Sequence, residues 1–278
     1  MTAKVYFFVF LDFYPPVCYT VFVTGGDTMR RLFGYAMDIG EKMLVCGAEV
    51  HRVEETVSRI GYALGAQRVD VFIITSSMVV TIHTPDGETY TQTRRVTASG
   101  FDFERLHYLN HLSREICAHQ LTSQEIEQRL HAIDTCKRFP LWAEFVSYAV
   151  IAGAFTLFFG GGVTEAVVSM LIGVAVRCGL WGADRLVSNK IFGKFLATVI
   201  ITLLAYLMVS LGGIPTVDKV IIGNIMTLIP GIGLTNAMRD LFTGDSIAGI
   251  LRTTEAALTA LAIAAGYYLV TIIGGLVV

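Results

Sequence analysis

The sequence predicts an integral membrane α-helical bundle of about five transmembrane helices, carrying an N-terminal cytosolic α/β domain. Three observations predict it. Of the 278 residues, 54% are hydrophobic and only 16% charged, against about 25% charged in an ordinary soluble domain. The shortage of charge falls in the second half, where apolar runs follow one another. The first half instead mixes helical and β-rich patterns with turn signals. A net charge of −2 gives no reason to expect nucleic acid as a partner.

Residues 1–28 read as an uncertain N-terminal extension. Their apolar runs, 5–11 and 17–23, are split by Asp12 and Pro15-Pro16, and neither approaches the roughly 20 residues of a spanning helix. Lys4 before an apolar run resembles the start of a signal peptide, but no small-x-small cleavage site follows. Met29 is the expected start of translation.

Residues 29–138 read as the cytosolic α/β domain. Ala36, Gly40, Met43, Gly47, Val50, Val53, Val57, Ile60 and Leu64 recur at helical spacing, which predicts one helix over 29–64, closed by Gly65. The runs 69–75, 78–84 and 89–96 predict strands, the last two joined by a Pro85-Asp86-Gly87 hairpin turn. Asp102 is placed to cap a helix with the stripe Leu106, Leu109, Leu112 and Ile116. Thr122 and Glu125 form a capping-box pattern ahead of Ile126, Leu130 and Ile133.

Lys137, Arg138 and Pro140 mark the boundary, and residues 139–278 read as the transmembrane domain. Its apolar runs are 145–159, 163–180, 195–211, 220–234 and 256–278. Several are shorter than about 20 residues, so flanking polar residues share the span or the helices are broken. Lys137 and Arg138 precede the first run; Arg177, Arg185, Lys190 and Lys194 lie between the second and third; Arg239 and Arg252 lie between the fourth and fifth. The alternate loops, 160–165 and 212–218, have neither Lys nor Arg. By the positive-inside rule the N-terminal domain is cytoplasmic and the C-terminus lies outside. An odd number of spans also fits poorly with paired repeats, which points to a missing partner.

The stretch 224–236 carries the candidate substrate site: Asn224, Thr227, Pro230, Gly231, Thr235 and Asn236, with Arg239 following. Proline removes a backbone donor and clashes with the turn before it, and glycine weakens the helix beyond. A half-helix starting after Gly231 would aim its N–H groups at the break, an arrangement that suits a carboxylate. The competing reading is a proline kink whose polar residues pair with neighbouring helices. Asp240 and Asp245 are candidates for a coupling proton or a substrate ammonium, because ionised groups at membrane depth pair or function. Glu255 and Glu165 are weaker proton candidates at the starts of apolar runs. Arg252 reads as a solvated loop charge.

Residues 46–55 hold Cys46, Glu49, His51, Arg52, Glu54 and Glu55, read as a salt-bridged helix face rather than a hydrolytic or metal centre. His107 and His111 lack a third ligand, no phosphate-binding loop is present, and no cofactor is implied. Five cysteines at Cys18, Cys46, Cys117, Cys136 and Cys178 form no metal or redox spacing and read as free thiols.

Gly47-Ala48-Glu49 followed by Arg52-Val53-Glu54 resembles the opening motif of the threonine/serine exporter family. Pro230-Gly231, Leu234-Thr235-Asn236, Arg239-Asp240, Gly244-Asp245, Gly249 and Glu255 resemble its membrane motif, in the same order. The chain is similar to the long, YjjP-like component of the split form, which works with a short YjjB-like membrane subunit. The resemblance implies a non-enzyme of the bacterial inner membrane that uses the proton gradient to export threonine, serine or succinate-like carboxylates. His51 departs from the pattern, and residues 1–28 match nothing in it. Two other readings, a membrane-anchored hydrolase and a non-transporting assembly or sensor subunit, remain alongside. Homo-oligomerisation is left open.

Overall fold

A computed structural model describes residues 26–119, 121–136, 140–186 and 189–275. Most of the expected extension 1–28, together with Lys137, Arg138 and Cys18, lies outside the described residues.

Helix α1 (Gly26–Val45) turns Phe33, Ala36, Met37 and Met43 inward, and α2 (Val50–Ala63) does the same with Val50, Val53, Val57 and Ile60. The single helix expected over 29–64 is therefore two. Gly47 stands at φ 87°, where a side chain is strained and glycine is not. Its N–H bonds Leu44 O at 3.0 Å and the Ala48 N–H bonds Met43 O at 3.0 Å, the paired bonds of a Schellman stop. The apolar rhythm runs through this turn without a break, which is why periodicity alone does not reveal it.

Strands β1 (Arg68–Ile74), β2 (Ser77–His83) and β3 (Thr89–Arg95) form an antiparallel sheet in sequence order, with Val71 opposite Val80 and Thr81 opposite Thr91. The hairpin turn is where Pro85-Asp86-Gly87 predicts it, with Gly87 at φ 84°. Asp102 caps α3 (Phe103–Ala118) by accepting from Arg105 N at 3.0 Å, and Thr122 with Glu125 closes a capping box on α4 (Ser123–Asp134). Met78, Val80 and Ile82 of the central strand, Leu109 and Leu112 of α3, and Ile126 of α4 complete one apolar core with α1 and α2. Ala248, from near the C-terminal end of the chain, is buried in the same core.

Four described helices are long and apolar enough to cross a membrane: α5 (Leu141–Phe158), α6 (Val163–Leu186), α7 (Lys190–Ser210) and α10 (Ser246–Gly275). The fourth expected run does not form a comparable helix. It is split into α8 (Asp218–Ile225) and α9 (Gly231–Thr243), so the count is four long helices and one broken one. The bundle has an apolar core that includes Val168, Val176, Ile201 and Val220, with polar side chains buried beside it and apolar ones exposed outside. Thr156, Ser169, Thr198, Thr202 and Asn224 are buried, while Leu171, Leu207 and Phe158 lie exposed on its outer face. Glycines let the helices close: a Cβ on Gly266 of α10 would sit 2.7 Å from Phe195 O of α7.

Candidate functional site

The break begins where α8 stops at Ile225. Leu228 N–H bonds Ile225 O at 2.8 Å in a tight turn, and Pro230 then caps α9 with φ −80° and ψ 61°. Proline has no N–H to continue α8, and its ring would strike the preceding turn if the helix ran on. At the new start, Gly231 N–H bonds Ile229 O at 2.9 Å and Leu234 N–H bonds Pro230 O at 3.0 Å, leaving the Ile232 and Gly233 N–H groups without a partner among the described residues. These are the orphan donors that every helix start presents.

Apart from Thr235, which bonds Gly231 O, the polar side chains in the middle of α9 do not point at the break. They converge on the turn between α1 and α2, and four consecutive residues there each make one contact with α9 or α10. Asn236 Nδ2 donates to Gly47 O at 3.0 Å. Arg252 Nη2 donates to Ala48 O at 2.8 Å. The Arg239 guanidinium is paired with the Glu49 carboxylate. The Val50 N–H, the first of α2, donates to Asp240 Oδ1 at 3.2 Å. Asp240 is completely buried; Arg252 Nε lies 3.4 Å from its Oδ2, which has no hydrogen bond. Asp245 Oδ2 is likewise buried and unbonded.

Glu54, one turn into α2, accepts the Ile73 N–H at 3.1 Å. Burial first, and the Asp245 charge second, push its carboxyl above the usual glutamate range. Four carboxylates (Glu49, Glu54, Asp240, Asp245) thus share one interface with Arg239 and Arg252.

The other expected residues lie elsewhere. Asn224 is fully buried against α6, its Nδ2 donating to Ser169 Oγ at 2.7 Å and to Val220 O at 3.0 Å, while its Oδ1 is left unbonded. Thr227 donates to Asn224 O and Thr235 to Gly231 O, each within its own turn. Glu255 is exposed on α10 and lies in electrostatic range of Lys194 on α7 rather than of Asp240. Arg52 is exposed. His51 is exposed too, and no cluster of three His, Cys, Asp or Glu able to hold a metal occurs among the described residues. Glu165 is buried, accepting from Gly162 N at 2.7 Å and Thr216 Oγ1 at 3.0 Å.

Sequence reasoning missed five participants. Arg252 reads as a solvated charge but is half-buried against Asp240. The Gly47 and Ala48 carbonyls are invisible while 29–64 reads as one helix; a glycine placed to end the first stripe is the signal that was there. Thr156 and Ser169, bonded to each other at 2.7 Å, are single hydroxyls inside apolar runs, and nothing in the sequence says that they meet.

Long apolar helices, buried polar side chains among them and one helix broken between two spans are the features of a membrane protein of the transporter kind. Residues 34–274 match the family described as "Putative threonine/serine exporter", and the chain belongs to that family. It is similar to the "Probable succinate transporter subunit YjjP" of Escherichia coli (strain K12), 28% identical over 254 residues that cover 90% of this chain and 97% of the relative. The protein of the same description from Klebsiella aerogenes is 28% identical over 238 residues, 84% of this chain and 90% of the relative. No solved structure matches the chain.

Proposed function

We propose that the chain is the substrate-handling subunit of a proton-driven exporter of small carboxylates or amino acids, not an enzyme. Residues 29–138 form its cytosolic domain and 139–278 its membrane domain, with the C-terminus outside. A short YjjB-like membrane subunit completes the transporter. The word "subunit" in the relatives' description supports the partner, and succinate in the same description supports a carboxylate cargo.

One observation carries the reading: the break at Pro230 starts a helix whose Asn236, Arg239 and Asp240 all face the Gly47–Val50 turn. Arg239 holds a carboxylate in this arrangement, that of Glu49. A substrate carboxylate arriving from the cytosol exchanges with Glu49 on Arg239 and takes the Asn236 amide released by Gly47 O. Asp240 and Asp245 carry the coupling proton or bind a substrate ammonium, and their Oδ2 atoms, buried without a hydrogen bond, are the acceptors free for either. Glu49 is then a tethered competitor that closes the cytosolic side when no substrate is present.

The test is efflux of succinate and threonine from preloaded cells expressing both subunits. Arg239→Gln and Asp240→Asn each remove one charge-assisted contact, for an expected loss of about tenfold or more. Wild-type efflux at wild-type membrane abundance would remove both residues from the mechanism.

A further inference from the structure

The ends of α5, α6 and α7 border an open cavity of about 600 Å³ whose lining shares no residue with the site above. Arg177, Lys190 and Lys194 line it, three cations against the single carboxylate of Glu144. Arg177 Nε donates to Glu144 at 2.9 Å, so that pair is internally satisfied. The Lys190 ammonium donates to Ser99 O. Lys194 is partly buried one turn along α7, and its ammonium makes no hydrogen bond or ion pair among the described residues. Glu255 lies in electrostatic range of Lys194 but makes no ion pair with it, and a desolvated ammonium without a directly bonded anion costs free energy, which an anion in the cavity would recover.

Of the remaining lining, Ser147 and Tyr148 bring hydroxyls, while Ile151 of α5 and Leu180 of α6 form an apolar wall beside the cations. Trp142 and Trp181, 69% and 42% exposed, stand next in sequence to the lining residues Ala143 and Leu180. Exposed tryptophans at helix ends mark the headgroup level of a bilayer. The cavity therefore joins positive charge to an apolar wall at interfacial depth.

We propose that this cavity binds one anionic phospholipid, its phosphodiester on Lys194 and Lys190 and the upper part of an acyl chain along Ile151 and Leu180. Basic pockets between transmembrane helices take anionic headgroups for this reason. A free dicarboxylate satisfies the lysines but leaves the apolar wall wet. The amphiphile satisfies both. Because α7 packs on α10 and Lys190 reaches the loop after β3, a lipid seated here ties the bundle to the N-terminal elements.

The experiment uses the full chain in neutral detergent, with native mass spectrometry and thermal melting. Phosphatidylglycerol is compared with phosphatidylethanolamine, succinate and inorganic phosphate. One tightly retained phosphatidylglycerol and a rise in melting temperature specific to it are expected. Lys194→Gln is expected to weaken that retention about fivefold, the worth of one lysine near an anionic headgroup, and Lys194→Arg to keep it. Equal stabilisation of the wild-type chain by both lipids would overturn the proposal, and that comparison needs no variant to fold. Unchanged retention in Lys194→Gln would also overturn it. A saturable shift with succinate or phosphate that vanishes in Lys194→Gln would reassign the cavity to a soluble dianion and sink the lipid.

Discussion

Glu54 shows how one residue's environment sets its chemistry. Its side chain reaches from α2 to the β1 backbone, accepting the Ile73 N–H, and lies near Asp245 at the start of α10. Burial and the Asp245 charge both favour the protonated carboxyl, while the Ile73 N–H and His51 oppose them. The folded pKa is raised above the unfolded one. Its contribution to stability is then fully present below the ordinary glutamate pKa and is lost as pH rises through the raised value. Glu54→Gln keeps an oxygen acceptor for Ile73 and removes the charge. The variant is expected to match the wild-type melting temperature near pH 4 and to exceed it increasingly toward pH 8. A difference that stays constant across that range would mean that Glu54 does not titrate in the way its surroundings dictate.

At the scale of elements, the interface depends on how closely α9 and α10 cross. Gly249 is the crossing point: a Cβ there would lie 2.6 Å from Leu241 Cγ and 3.0 Å from Ala237 O. Gly249→Val is expected to destabilise by about 1–3 kcal/mol, the usual cost of overpacking, and to part Asp240 from Arg252. Gly231→Ala is the control, because nothing lies within 4 Å of its added Cβ and it sits exposed in the first turn of α9. Its effect should stay within about 0.5 kcal/mol. Melting in detergent separates the two, and equal behaviour would contradict the packing argument. The elements that the sequence declared most clearly were those with local chemistry. Pro85-Asp86-Gly87, Asp102 and the Thr122–Glu125 box act within four residues, so their residue types suffice. Pro230 marked the break for the same reason. Gly47 is the counterexample: its φ of 87° ends a helix, yet the apolar rhythm on both sides of it is continuous. A pattern averaged over several turns hides a stop confined to one residue.

Across the whole molecule, what remained illegible was which distant surfaces meet. Asn236 and Gly47 are 189 positions apart, and Arg252 and Ala48 are 204 apart, so no window of sequence contains either pair. The two motifs that resemble the exporter family could be read separately; their contact could not. That contact gives the molecule a testable mode of action. If substrate carboxylate displaces Glu49 from Arg239, then the Gly47–Val50 turn loses its hold on α9 whenever substrate is bound. The Val50 N–H, bonded to a fully buried Asp240, is the natural reporter. Hydrogen–deuterium exchange on the full chain, reconstituted with the proposed short partner, should show faster uptake over residues 47–52 with saturating succinate than without it. Exchange in the β2–β3 hairpin, whose strands pair with each other through their backbones and make no bond to α9 or α10 among the described residues, should not change. In Arg239→Gln the turn should already exchange fast, and succinate should add nothing. Uptake over 47–52 that ignores substrate in the wild-type protein would make the turn a permanent strut, and the coupling between cargo and the N-terminal elements would have to run through another contact.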